Sequence, residues 1–140
     1  MSEFLEKVRS YYQDEYYNCS EAIIHAANDH YGLKITEEDM LMFGGYGGGM
    51  YSGIVCGALV SSIAVISKMV VKQNARREKE TVRPLIQKAV RNFNETLGGL
   101  SCKELKPKYW TKELSCWRTV ELAATALEKT VEEIRSTTEE

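Results

Sequence analysis

Residues 54–74 read IVCGALVSSIAVISKMVVKQN, and from Ile54 to Ser67 almost every position is apolar or small. A helix that is apolar all the way round is stable only when neighbours surround it. The stretch therefore predicts a central helix, over about residues 53–74, inside an all-α, single-domain helical bundle spanning 1–140. Lys68 interrupts the apolar run well before the roughly 20 residues that a bilayer span requires, so no membrane partner is expected. Nothing elsewhere in the chain sustains a period-two alternation, which leaves helices as the building material.

Outward from this core, the preceding stretch GGYGGGMYSG, Gly44 to Gly53, is too rich in glycine to form one regular element. Upstream, Phe4, Leu5, Val8, Tyr11 and Tyr12 make an apolar stripe that predicts a first helix over residues 3–14. Asn18 with Glu21 has the form of a capping box and opens a second helix that runs toward Gly32, with Cys19 at its first position. Thr36 with Asp39 predicts a short third helix. Downstream, Val82, Leu85, Ile86, Ala89, Val90 and Phe93 predict a helix that ends at Gly98 and begins slightly before Pro84. Ser101 and Glu104 cap the short segment SCKEL, which Pro107 closes. Ser115 precedes a long final helix with Trp117, Val120, Ala124, Leu127, Val131 and Ile134 on one face, and the terminal STTEE is expected to fray.

The 140 residues, 44% hydrophobic and 27% charged, have the composition of an ordinary globular domain, which excludes disordered and collagen-like classes. A formal net charge of -2 supplies no bulk attraction to nucleic acid or anionic lipid. The first residues carry charges every few positions and have no apolar core of a secretory signal, so a cytoplasmic location is expected. Four cysteines in that compartment read as buried thiols, metal ligands or redox-active thiols rather than as structural disulfides.

Cys19 follows Asn18, Cys102 follows Ser101 and Cys116 follows Ser115, so three cysteines stand next to a residue that caps helices. Unpaired N–H groups at a helix N-terminus favour a thiolate, which predicts lowered thiol pKa values and fast alkylation at one or more of these positions. Cys56 lies early in the central helix. If the glycine-rich loop folds these helix starts toward one another, the four thiols meet in one site; the plain alternative is four small apolar residues in a helical core. The long separations lack the CxxC knuckles of structural zinc and fit no local ferredoxin pattern.

The segment CGALVS, Cys56 to Ser61, with Cys19 upstream and Cys102 and Cys116 downstream, resembles the redox-active protein family defined by four cysteines and a CGAxxG motif. The resemblance extends over the whole chain, including the glycine-rich run, GGLSCKEL and the cysteine-led final helix. It implies an α-helical protein of cysteine-based redox or iron–sulfur chemistry. The family's cysteines fall on Cys19, Cys56, Cys102 and Cys116, as catalytic thiols or metal ligands, and Gly57 and Ala58 of the motif as cofactor-contacting residues. The motif's last glycine is Ser61 here.

Other features read more plainly. Gly49, Gly53, Gly57 and Ser61 recur every four residues, a small-residue stripe for close helix packing. His25 and His30 are offset by five on the second helix and read as solvent-facing, with Glu21 in reach of His25. Tyr109, Trp110 and Trp117 near Cys116 read as aromatic core. The basic stretch from Lys68 to Arg91 reads as a solvated junction, with an acidic electron-transfer protein as the partner it would suit and no nucleic-acid motif beside it. Two functions stand against each other at this point. One is a small redox protein that either binds an iron–sulfur cluster or cycles its thiols. The other is a non-enzymatic metal-binding or scaffold protein, dimeric through an apolar helix face.

Overall fold

The computed structural model describes residues 1–139, and they form an all-α bundle. The helices are α1 (Glu3–Arg9), α2 (Cys19–Tyr31), α3 (Glu37–Met40), α4 (Gly57–Val70), α5 (Lys79–Leu97), α6 (Cys102–Tyr109) and α7 (Trp117–Glu139). No described helix is long and apolar enough to cross a membrane.

The apolar stretch becomes α4, packed on α2, α5 and α7. Ala58, Leu59, Val65 and Ile66 on it are at most 4% exposed, in one core with Phe4, Ile23, Phe93, Val120 and Leu127. Its span is shorter than the predicted 53–74 because both flanks have other hydrogen-bond partners. Before it, Cys56 N–H donates to Leu100 O and Cys102 N–H to Ile54 O, tying the approach to α4 against the approach to α6. After it, the carboxylate of Glu78 accepts from the N–H groups of Lys72, Gln73 and Asn74 and turns the chain into α5.

Asn18 and Glu21 form the full capping box of α2, and Gly32 closes that helix with a left-handed φ of 64°. Thr36 caps α3, and Gly98 ends α5 at φ 77°. The first helix gives way after Arg9 to a wider turn over Ser10–Asp14.

Several expectations are corrected. The small-residue stripe is not continuous: Gly49 and Gly53 lie in the loop before α4 with φ of 62° and 72°, so only Gly57 and Ser61 share a helix. Pro107 does not close the SCKEL segment, since α6 continues to Tyr109 and forgoes only the hydrogen bond that proline lacks. Ser115 is not a helix cap. It has φ of 52° in a tight turn bonded back to Thr111, and Cys116 itself takes the capping position, its carbonyl accepting from Val120 N–H. His25 is 6% exposed, stacked on Tyr17 at 4.3 Å and against Tyr11 at 5.1 Å, because the turn after α1 folds back over α2. Glu21 is occupied at the N-terminus of its own helix and does not pair with it. Where STTEE was expected to fray, α7 stays helical through Glu139, and Glu140 lies outside the described residues.

Candidate functional site

All four cysteines stand at helix N-termini. Cys19 and Cys102 are the first residues of α2 and α6, while Cys56 and Cys116 hold the capping positions of α4 and α7. These four starts converge. Cys19, Cys56, Cys102 and Cys116 line one cavity of about 30 Å³, closed by Gly48, Gly49, Gly57, Leu105, Lys106 and Thr119. All four thiols are free; Cys56 is buried and the other three are partly exposed.

The glycine-rich loop makes this convergence sterically feasible. From Gly48 to Tyr51 the backbone runs left-handed, with φ between 55° and 62°, although Met50 and Tyr51 carry side chains. Each such residue costs about 1–2 kcal/mol, so the surroundings must hold the loop in place. Gly49 has no alternative there: a Cβ would lie 2.6 Å from Ile54 O and 3.0 Å from Cys102 Cβ. A Cβ on Gly57 would lie 2.5 Å from Tyr46 O and 3.0 Å from Cys19 Sγ. The motif glycine is thus the space through which α2 brings Cys19 to Cys56.

The motif's other residues act through the backbone and the packing. Ala58 is fully buried and does not line the cavity; its N–H, with that of Leu59, favours the Cys56 thiolate. Ser61, in place of the motif's last glycine, donates to Ser20 O at 2.8 Å, and its hydroxyl lies 2.6 Å from that of Ser20. Next to Cys19, the serine therefore clamps α2 to α4.

The electrostatics reverse the expectation of lowered thiol pKa values at Cys19 and Cys116. Burial is the largest influence at each of Cys19, Cys56 and Cys116, and raises all three, Cys56 to about 12. Gly48 N–H at Cys19 and the Ala58 and Leu59 N–H groups at Cys56 oppose burial without overcoming it. Helix N-termini stabilise thiolates, but desolvation in a closed cavity outweighs them here. Charge on Cys102 raises each of the other three, so Cys102 lies within electrostatic reach of all of them.

Sequence reasoning placed Tyr12 only on an apolar stripe, yet its hydroxyl accepts the Cys116 N–H at 2.9 Å. Burial pushes the phenol itself up to about 12. Its ring also packs on Trp117 at 6.1 Å. Of the other aromatic residues, Tyr109 is half-buried and donates to Leu97 O, whereas Trp110 is 45% exposed and not core. No periodicity distinguishes a core tyrosine from one whose hydroxyl serves a helix start more than a hundred residues away.

Four thiols are the donor set of a soft metal. The packing around them is another matter: about 30 Å³ admits one or two water-sized groups and not several iron and sulfide atoms. Among the described residues, no three Cys, His, Asp or Glu side chains are grouped so as to hold a metal ion. As packed, the site does not fit an iron–sulfur cluster.

Fold and site together define a small all-α protein that gathers four free cysteines at four helix starts. The sequence pattern of the family described as "Putative redox-active protein (C_GCAxxG_C_C)" matches residues 17–130, and the chain belongs to that family. Its motif here reads Cys56-Gly57-Ala58-Leu59-Val60-Ser61, with cysteine and glycine in the opposite order to the family label. No curated protein and no solved structure matches the chain.

Proposed function

We propose that the four cysteines act as one redox centre by thiol–disulfide exchange. Two thiols join in a disulfide, giving up two protons and two electrons, and an oxidised partner accepts the electrons. The observation that carries this reading is the shared cavity of Cys19, Cys56, Cys102 and Cys116, too small as packed for a cluster and lined by four free thiols. Membership of a redox-active family supports it. Burial raises the thiols of Cys19, Cys56 and Cys116 and holds these three protonated near neutral pH, so exchange starts slowly, from the small thiolate fraction at a partly exposed sulfur. An electron-transfer protein and a small disulfide are both suitable partners, and a reducing cytoplasm would keep the centre charged.

The test is a redox titration of anaerobically purified protein in glutathione buffers, with free thiols counted by mass after alkylation. The expected result is a reversible two-electron loss of two of the four thiols without iron or acid-labile sulfide. A chestnut protein containing iron and sulfide, or four thiols unchanged across the titration, overturns the reading.

A further inference from the structure

The cavity that the four thiols share is not equally covered on all sides. Gly49, Cys56, Gly57, Leu105 and Thr119 of its lining are buried, whereas Gly48 and Lys106 are exposed and mark the side on which it meets solvent. One face of α6 supplies much of that side. Side chains three and four positions apart share a helix face, and Cys102, Leu105 and Lys106 stand in that relation and all line the cavity. Leu105 anchors the face in the core, fully buried, while Cys102 is partly exposed and Lys106 is exposed one turn further on.

Among the described residues that line the cavity, Lys106 is the one with a standing charge. The two ion pairs among the described residues, Lys88 with Glu133 and Arg118 with Glu121, do not involve it. The neighbouring acid on α6, Glu104, is turned to the start of its own helix, where it accepts from the Ser101 hydroxyl, and the lysine whose charge it feels is Lys108. The Lys106 ammonium therefore stands beside the thiols with its charge unspent. That charge reaches the Cys116 sulfur, where it opposes the burial and the charge on Cys102 that raise this thiol.

Resting on the thiol-exchange reading, we propose that Lys106 sets the substrate class of the redox centre: a disulfide bearing carboxylates close to its S–S bond, which Lys106 receives while Cys102 attacks the sulfur. The substrate meets the exposed side of the cavity and does not have to enter it. About 5–6 Å separates the Cβ atoms of residues four apart on a helix, a span that a carboxylate two methylenes from the sulfur bridges. Cys102 has the attacking role because it shares the α6 face with Lys106, whereas burial is the largest influence at each of the other three thiols. The Cys102 thiolate attacks one sulfur of the substrate RS–SR. That S–S bond breaks, a Cys102–S–S–R bond forms, and the expelled thiolate takes the proton that Cys102 released, leaving as RSH. The Cys116 thiolate, favoured by Lys106, then attacks the Cys102 sulfur and forms the Cys102–Cys116 disulfide. The second thiolate leaves as RSH with the proton from Cys116, and two electrons have passed from the cysteine pair to the substrate.

The experiment uses the full-length reduced protein with three probes that share one methylene arm and differ in charge: dithiodipropionate, bis(2-hydroxyethyl) disulfide and cystamine. Each rate of thiol loss is divided by that of free mercaptoethanol with the same probe, which removes the differences between leaving groups. The normalised rates are expected to fall from the anionic to the neutral to the cationic probe. The anionic advantage over the neutral probe is expected to shrink about twofold to fivefold in Lys106→Gln, the scale of an exposed ion pair, and to be kept in Lys106→Arg. In Cys116→Ser, quenched with acid early in the reaction, the mixed disulfide is expected on Cys102, read by peptide mass. Equal normalised rates, an advantage unchanged in Lys106→Gln, or a mixed disulfide on another cysteine overturns this assignment while thiol exchange stands. No thiol loss with any probe overturns both.

Discussion

Replacing Gly57 by alanine is the sharpest test of how the thiols are brought together. The added methyl carbon would lie 2.5 Å from the carbonyl oxygen of Tyr46 and 3.0 Å from Cys19 Sγ. The first obstacle is backbone, held between the left-handed loop and the turn after α3, so it cannot rotate away as a side-chain end would. Relief requires α4 to move off α2, which also loosens the Ser20–Ser61 contact. Overpacking of this kind costs about 1–3 kcal/mol, and a backbone obstacle places Gly57→Ala in the upper part of that range. For a chain of this length, 2–3 kcal/mol corresponds to a fall in Tm of roughly 6–9 °C. Gly45→Ala is the control, because a Cβ there meets nothing within 4 Å and no left-handed φ is required. Thermal unfolding followed by helical circular dichroism, under reductant, measures both. Gly57→Ala melting within a degree or two of the parent would show that α4 and the Tyr46 segment are not in the close contact from which the site is built.

Three further outcomes follow from the same structure. With excess iodoacetamide at pH 7.5 and no denaturant, Cys56 is expected to be alkylated last of the four, being buried with its pKa pushed up to about 12; Cys56 reacting as fast as the partly exposed thiols would contradict its placement. The stability of the reduced protein is expected to fall as pH rises above about 8.5, where unfolded thiols lose their protons while folded ones keep them. For Cys56 that loss continues until pH passes about 12, so urea unfolding between pH 7.5 and 10 should give a declining stability with a shallower decline in Cys56→Ala. Equal stability at pH 7.5 and 10 would refute the raised thiols. Ser61→Ala removes the bonds that join α2 to α4 in a dry interior and is expected to cost about 1–3 kcal/mol by urea unfolding, against near-neutrality if the serine merely fills space.

What could be read from the sequence was local, and the misreadings share one physical origin. Asn18 with Glu21, Thr36 with Asp39, and Gly98 each specify a helix end through groups a few residues apart, and the structure has those ends where the residues place them. Ser115 looked like the same signal, but the hydrogen bonds between Thr111 and Ser115 form a turn first and pass the capping position to Cys116. The burial of His25 under the rings of Tyr11 and Tyr17, and the bond of the Tyr12 hydroxyl to Cys116 N–H, come from a fold-back that no periodicity announces, although Tyr12 does pack on the core as its place on the apolar stripe implies. The thiol pKa values failed for a deeper reason. A helix N-terminus is a property of four residues and is visible in a sequence, whereas desolvation is a property of everything that closes over the sulfur. Gly48, Gly49, Leu105 and Thr119 close that cavity from segments far apart in the chain. The N–H groups that favour a thiolate and the walls that disfavour it therefore come from different levels of structure, and the second prevails at Cys19, Cys56 and Cys116. Exchange begins from a thiolate, so the walls that keep Cys19, Cys56 and Cys116 protonated also slow their attack, and oxidation of this dry cavity has to start from the small thiolate fraction at a partly exposed sulfur.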